Sequence, residues 1–184
     1  MPLVKNLDKK YTYQDYLNFP DDKRCEIIDG KLYDMTPAPK VKHQRISRKV
    51  SEILFANREK LKRCEYFIAP TDVVFDNENV YQPYIVFISK DRLHIKEDGV
   101  YGAPDLIIEI LSPATAYYDL RIKFKVYERY GVKEYWIVDP ELKEIEIYQL
   151  QNNKFVFVEK AEKEAKIKST LLSGLEVGLK DVFV

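Results

Sequence analysis

The sequence is poor in several features that would assign a protein to a class. Its 184 residues include only two cysteines and six glycines, and the 30 basic residues balance the 30 acidic ones. Cys25 and Cys64 have neither metal-ligand spacing nor a neighbouring histidine pair, so buried thiols are favoured over a disulfide. Because the total charge is balanced, composition alone indicates no polyanionic partner.

Several motifs are also missing. The chain has no glycine-rich phosphate loop, no HExxH and no CxxC, so nucleotide-cofactor and zinc chemistry have no support. The N-terminus lacks the apolar stretch of a signal peptide, and no apolar run is long enough to span a bilayer. We therefore expect a cytoplasmic protein that uses neither a membrane nor a nucleotide cofactor.

Although the total charge is balanced, the segment between residues 40 and 63 is strongly basic. Nine lysines and arginines lie there against only two acidic residues. Apolar residues at Ile46, Val50 and Leu54 recur with helical spacing, so the segment from His43 to about Lys62 is predicted to be a long helix. The residues of this helix that we expect to contact phosphate are His43, Arg45, Arg48 and Lys49. For His43 a plain surface or capping role is an alternative.

Apolar runs separated by turn residues predict a sheet. Asp29-Gly30 predicts a β-hairpin between Arg24 and Met35. Further predicted strands are Tyr66–Phe75, Tyr84–Ser89, Leu106–Leu111, Glu134–Val138, Glu144–Leu150, Phe155–Glu159 and Lys168–Leu171. A second long helix is predicted from Tyr117 to Tyr130, with an apolar stripe that includes Leu120. This pattern indicates one α/β domain over residues 1–184, leaning towards α+β, in which two main helices flank a mixed sheet.

A carboxylate interrupts the most apolar of these runs. Glu109 lies within Leu106–Leu111, which reads as a central strand covered on both faces. A buried charge is costly unless it is paired or holds a metal, so Glu109 is the leading candidate for chemistry. Lys123, in the following helix, could reach back to that carboxylate. A plain ion pair for Glu109 and a surface position for Lys123 are the structural alternatives. Asp105 lies about 13 Å along the strand, too far to share a cation, and is predicted to start the strand instead.

Several short motifs follow one another in a characteristic order. They are Glu26-Ile-Ile-Asp29-Gly30-Lys-Leu, His43, Gln82-Pro83, the segment Pro104–Pro113 around Glu109, Tyr118-Asp119 with Lys123 and Tyr127, and Gly131–Pro140. This order resembles the Uma-type restriction endonuclease family of the PD-(D/E)XK nuclease superfamily, over nearly the whole chain. The resemblance implies a restriction-endonuclease-like core that hydrolyses the phosphodiester bonds of DNA with a divalent metal, Mg²⁺ or Mn²⁺. A duplex break needs two cuts, so we also expect a homodimer.

The resemblance also implies roles for individual residues. It implies that Glu26 is an acid at the edge of the site and that Glu109 is a metal ligand. Lys123 replaces the family's usual lysine, because Leu111 stands two residues after Glu109. One departure matters more: the family typically reads Gln-Pro-Asp, with that Asp as a metal ligand, and here the position is Tyr84. A neutral phenol cannot replace a carboxylate at a hard-cation site without a large loss of affinity, so impaired cleavage is expected.

Two hypotheses compete with that of a nuclease. In the nuclease, the metal would lower the pKa of a bound water and neutralise the phosphate, while Lys123 would orient the water. The basic helix would hold the DNA backbone with salt-dependent affinity. The first competitor is a DNA-binding module that has kept the fold and lost the chemistry. The second is a protein-interaction module that uses a tyrosine-rich surface, since 14 tyrosines is a high count.

Overall fold

A computed structural model describes residues 4–5, 9–20, 23–35, 40–57, 64–89, 92, 95–96, 99–113 and 116–183. The helices in these ranges are α1 (Tyr13–Leu17), α2 (Val41–Ala56), a π-helix (Tyr118–Lys123) that continues into α3 (Phe124–Tyr130), and α4 (Leu179–Val182). The strands are β1 (Val4–Lys5), β2 (Cys25–Ile28), β3 (Lys31–Asp34), β4 (Cys64–Ile68), β5 (Val73–Asp76), β6 (Asn79–Tyr81), β7 (Ile85–Ser89), β8 (Ile95–Lys96), β9 (Gly99–Tyr101), β10 (Leu106–Ile110), β11 (Glu134–Asp139), β12 (Glu144–Gln151), β13 (Lys154–Glu162), β14 (Lys166–Lys168) and β15 (Glu176–Gly178). No helix in these ranges combines the length and the apolar character that crossing a membrane requires.

The described strands form three sheets, whereas the sequence predicts one. The first has the order β1-β3-β2-β6-β5-β9-β8, the second β13-β12-β11-β10-β7-β4, and the third contains β14 and β15. The second sheet is mixed, because β10 pairs in parallel with β11 and antiparallel with β7. Since β10 and β11 are apolar on both faces, both faces need covering layers, and the first sheet contributes to one of them.

Two of the predicted strands are misplaced. Tyr66–Phe75 is in fact two strands in different sheets, since β4 pairs with β7 whereas β5 pairs with β6 and β9. Pro70 lies between β4 and β5 and cannot continue a ladder because it has no N–H. The predicted last strand, Lys168–Leu171, is shorter and earlier, and it pairs with β15 outside the main sheet.

The predicted hairpin is confirmed. β2 and β3 pair with Cys25 opposite Asp34 and Ile28 opposite Lys31. Asp29 and Gly30 have φ values of 48° and 74°, as the two central residues of a type I′ turn require. The thiol of Cys25 is buried and free, as predicted, and burial raises its pKa to about 11. The side chain of Cys64 lies outside the described part of the chain.

The second long helix is wound differently from the prediction. Its first part is a π-helix, and this wider turn changes which residues face inwards. Tyr118, Asp119 and Lys123 are buried there. Leu120, predicted to belong to the apolar stripe, is 39% exposed, so that prediction is wrong. Gly131 ends the helix with a φ of 82°, as expected of a glycine after the last helical turn.

The two main helices cover opposite faces of the mixed sheet. Leu106, Ile108 and Ile110 of β10 pack in the core cluster that contains the buried residues of α2 and α4. Ile107 belongs to the other cluster, with residues of the π-helix, α3 and the first sheet. Because side chains alternate along a strand, Glu109 points to the same face as Ile107. The structure therefore confirms two helices flanking a mixed sheet, and Glu109 faces away from α2.

Candidate functional site: a buried lysine among three carboxylates

Lys123 lies at the centre of a cluster of buried carboxylates. Its Nζ is 3.0 Å from Glu26 Oε1, 3.0 Å from Glu109 Oε1 and 3.4 Å from Asp119 Oδ1. Glu109 is 1% exposed and Lys123 is 6% exposed, and the other two acids are also buried. The three residues predicted as catalytic, Glu26, Glu109 and Lys123, therefore lie together in a site closed to solvent.

Three separate parts of the chain supply this cluster. Glu109 comes from β10 of the mixed sheet, and Glu26 comes from β2 of the first sheet. Asp119 and Lys123 lie four residues apart on the π-helix, and Tyr127 follows four residues later on α3. The cluster thus forms where the helix packs between the two sheets.

Hydrogen bonds from neighbouring groups orient the acids. Tyr127 donates its hydroxyl to Glu109 Oε1 at 2.8 Å, and the backbone N–H of Gln82 donates to Glu26 Oε1 at 2.9 Å. The backbone N–H of Tyr84 donates to Glu109 Oε2 at 3.4 Å. The two oxygens of Glu109 therefore differ, because Oε1 binds both Lys123 and Tyr127 whereas Oε2 has one long contact.

Burial and charge act in opposite directions on these groups. Burial raises the pKa of Glu109 to about 7, Lys123 acts to lower it, and Asp119 and Glu26 act to raise it. Burial acts to lower the pKa of Lys123, but the carboxylates of Glu109, Glu26 and Asp119 outweigh it and hold that pKa well above its usual value. Lys123 is thus a cation at neutral pH, and the carboxylates depend on it for charge compensation.

Tyr84, at the position where the resemblance expects a metal-ligating Asp, lies beside Glu109. The two residues make contact through the backbone: the ladder of β10 with β7 ends at the pair Ile108–Ile85, and the N–H of Tyr84 then donates to Glu109 Oε2. The partly buried ring of Tyr84 packs against the core cluster on the α2 side of the sheet. Burial raises the pKa of its phenol to about 12, with Glu109 adding to the increase. The side chain is therefore neutral at physiological pH.

This donor set does not fit a divalent cation. Among the residues that the structure describes, no group of three or more His, Cys, Asp or Glu side chains is arranged to hold a metal ion. The carboxylate oxygens converge on the ammonium of Lys123 at hydrogen-bonding distances, and the side chain at position 84 carries no charge. Hard cations such as Mg²⁺ need oxygen ligands at about 2.1 Å, which this arrangement does not offer.

The residues predicted to contact phosphate do not share one environment. His43 is buried, and its Nε2 donates to the carbonyl oxygen of Leu111 at 2.8 Å. It therefore lies inside the protein and not on the surface predicted for it. Arg48 and Lys49 both pair with Glu52, at 3.2 and 2.9 Å.

Arg45 is exposed on α2, and the described part of the chain provides it with no ion-pair partner. Because α2 and Lys123 lie on opposite faces of the mixed sheet, this basic surface is not continuous with the carboxylate cluster. The basic residues between positions 58 and 63 lie outside the described residues.

Sequence reasoning missed part of the site. Asp119 and Tyr127 contact the cluster directly, yet neither was predicted to have a role of its own. Their spacing of four residues on either side of Lys123 was the available signal, since such residues share one helix face. Gln82 acts through its backbone N–H, which no side-chain pattern could reveal.

The prediction that Asp105 starts a strand is confirmed. It immediately precedes β10 and accepts a hydrogen bond from the backbone N–H of Ser89 at 2.7 Å. Lys133 Nζ lies 2.6 Å from its carboxylate, and Arg92 lies 3.4 Å away. Asp105 therefore has its own partners and takes no part in the cluster around Lys123.

A family model and a solved structure both indicate a nuclease fold. The family model Uma2, described as "Putative restriction endonuclease", matches residues 12–180. The protein slr1290 of Synechocystis sp. (strain ATCC 27184 / PCC 6803 / Kazusa) is 29% identical over 142 residues, which cover 76% of this chain and 74% of that protein. The crystal structure of a "putative nuclease belonging to DUF820" from Anabaena variabilis ATCC 29413 is similar with a TM-score of 0.75 at 23% identity, covering 94% of this chain and 97% of that one. This likeness confirms the predicted restriction-endonuclease-like fold.

Proposed function

Because this chain belongs to the Uma2 family of putative restriction endonucleases, we propose that it acts on DNA as a phosphodiester hydrolase whose cleavage is impaired by Tyr84. Glu109 and Glu26 are the acids of the site, and Lys123 is the basic residue that would stabilise developing charge. A carboxylate at position 84 should restore cleavage, and Mg²⁺ or Mn²⁺ is then the expected cofactor.

The observation that carries this proposal is the difference between the two oxygens of Glu109. Oε1 is held by Lys123 and Tyr127, whereas Oε2 has, among the described residues, only the long contact with the backbone N–H of Tyr84. The backbone N–H of Tyr84 lies 3.4 Å from Glu109 Oε2, so an aspartate at position 84 whose side chain turned towards Glu109 would add a second carboxylate beside Oε2. A pair of adjacent carboxylates is the kind of ligand set that a hard cation needs.

The test compares Tyr84→Asp with Tyr84→Asn and the unchanged chain on supercoiled plasmid DNA. The two substitutions have nearly the same size and remove the same ring, so only the added charge differs between them. We expect nicking by Tyr84→Asp with Mg²⁺ or Mn²⁺, and a rate at least about 100-fold lower in Tyr84→Asn, since a lost metal ligand typically costs that much or more.

Adding Glu109→Gln to the Asp variant gives a second check on the site. This double variant should lose the recovered nicking. Equal nicking by the Asp and Asn variants would show that the carboxylate at position 84 is not the missing group. A folded Tyr84→Asp protein that leaves the plasmid intact in both metals would contradict the proposal of an impaired hydrolase.

A second candidate function is a DNA-binding module without chemistry, and the exposed Arg45 on α2 favours it. If this surface holds the DNA backbone, Arg45→Ala should weaken binding to every sequence and lower the slope of log K against log salt by about 0.9. Fluorescence anisotropy with a labelled duplex at several salt concentrations measures both quantities. Lys154→Ala is the matched control, because Lys154 is 77% exposed and carries the same charge on β13.

Equal effects of these two substitutions would indicate general charge attraction instead of a binding surface on α2. Lack of any binding by the unchanged chain would favour the interaction-module hypothesis. The homodimer that two cuts require is tested by sedimentation of the purified chain.

A further inference from the structure

The ammonium of Lys123 is in close contact with three carboxylates. A lysine ammonium has three N–H donors, and three carboxylates from three different elements lie within 3.4 Å of this one. Glu26 comes from one sheet, Glu109 from the other and Asp119 from the π-helix. The cluster is buried, so water does not compete for these positions.

We infer that Lys123 is the resident cation of this site, and that its ammonium holds together the carboxylates around which a divalent cation would otherwise bind. The chain as it stands then needs no metal in this cluster and binds none there. Like charges repel strongly at short range in a buried environment, so a divalent cation cannot share these oxygens with the ammonium. The site is instead a lysine-centred link between the two sheets.

The available oxygens support this inference. Glu26 Oε1 accepts from the backbone N–H of Gln82 and lies 3.0 Å from the Lys123 ammonium, and Glu109 Oε1 accepts from both Lys123 and Tyr127. These atoms are already saturated by donors that a metal would have to displace. Removal of the ammonium takes away the cation that contacts all three acids, and the acids remain close together. The lysine side chain is thus the group that excludes a cation from these oxygens, whereas Glu109 Oε2, which Lys123 does not contact, is the atom that an aspartate at position 84 would use.

The first test is a Mn²⁺ titration of the unchanged chain, followed by isothermal titration calorimetry and by the electron paramagnetic resonance signal of free Mn²⁺. We expect no saturable binding in the cluster. The melting temperature should be the same with EDTA, Mg²⁺ and Mn²⁺. Saturable binding that Glu109→Gln abolishes would overturn the inference.

The second test removes the ammonium. Lys123→Met removes the ammonium but keeps an unbranched side chain only one atom shorter, and it should bind Mn²⁺ at least about tenfold more tightly than the unchanged chain, with a higher melting temperature in the presence of Mn²⁺. Lys123→Arg keeps the charge and should show no such gain. Adding Glu109→Gln to Lys123→Met should abolish the new binding, which locates it in the cluster.

Each outcome decides the question. If Lys123→Met is unfolded without metal, its recovery by Mn²⁺ but not by an equal ionic strength of NaCl supports the inference. A folded Lys123→Met protein without Mn²⁺ binding overturns it, and so does an unfolded one that Mn²⁺ does not recover. These measurements need no DNA, so they stand whether or not Tyr84→Asp cleaves a plasmid.

Discussion

Lys123→Met is expected to lower the free energy of unfolding by about 3–5 kcal/mol at about pH 8 in the absence of metal. The substitution leaves three buried carboxylates without a cation, and an uncompensated buried charge is among the most destabilising changes known in proteins. Glu109, Glu26 and Asp119 must then either remain charged in the interior or take up protons. Urea unfolding of both proteins at the same pH measures the difference.

The loss should depend on pH in a definite direction. Burial already raises the pKa of Glu109 to about 7, and removing Lys123, which acts to lower it, raises it further. An acid whose pKa is higher in the folded than in the unfolded state binds more protons when folded, so stability falls as pH rises between the two values. The difference in stability between Lys123→Met and the unchanged chain should therefore become smaller as the pH falls below about 7, because Glu109 is then protonated in both folded proteins.

Lys154→Met is the matched control for this prediction. It removes the same charge from a side chain that is 77% exposed and pairs with Glu128 at the surface. Its effect should stay within about 0.5 kcal/mol at either pH, because exposed ion pairs contribute little. A Lys123→Met protein as stable as this control at alkaline pH would show that the carboxylates do not depend on the lysine.

Glu134→Gln is expected to destabilise the protein by about 2–5 kcal/mol, because it leaves buried donors without an acceptor. The carboxylate of Glu134 is fully buried. It accepts from Trp136 Nε1 at 2.7 Å, Ser169 Oγ at 2.7 Å, and the backbone N–H groups of Thr170 and Leu171 at 2.8 and 2.9 Å. The hydroxyl of Thr170 donates to it as well.

A glutamine has the same shape but turns an NH₂ group towards donors that need an acceptor. The segment between β14 and β15 should then lose its attachment to the mixed sheet. Thermal unfolding measures the loss of stability, and faster amide exchange at Thr170 and Leu171 would locate it. Glu141→Gln is the control, since Glu141 is exposed and its carboxylate contacts only Lys42 among the described residues. Unchanged exchange at Thr170 and Leu171 in Glu134→Gln would contradict this account.

The contact at the centre of the site was predictable from local sequence. The sequence Leu-Ile-Ile-Glu-Ile-Leu identifies Glu109, because a carboxylate in an apolar strand is costly unless it is paired or holds a metal. Lys123 was predicted to reach back to it, and the structure shows that contact at 3.0 Å. Glu26 required the family resemblance, since nothing in the hairpin by itself singles it out.

The arrangement of the sheets was less predictable. Tyr66–Phe75 has the composition of one strand, yet its two halves pair in different sheets because pairing depends on distant partners. The π-helix was not predicted either, so Leu120 was expected inside and Asp119 was overlooked. A single extra residue in a turn rotates every following side chain, and a pattern based on 3.6 residues per turn does not detect it.

The sequence by itself determined the elements whose information is local: the type I′ turn at Asp29-Gly30, the central strand around Glu109 and the basic character of α2. Only the tertiary structure decided that α2 covers the face opposite Lys123, that His43 is buried, and that one ammonium joins three acids. The physical reason is that periodicity and turn chemistry depend on neighbours along the chain. Charge compensation in the interior depends on groups brought together from β2, β10 and the π-helix, which lie far apart in sequence.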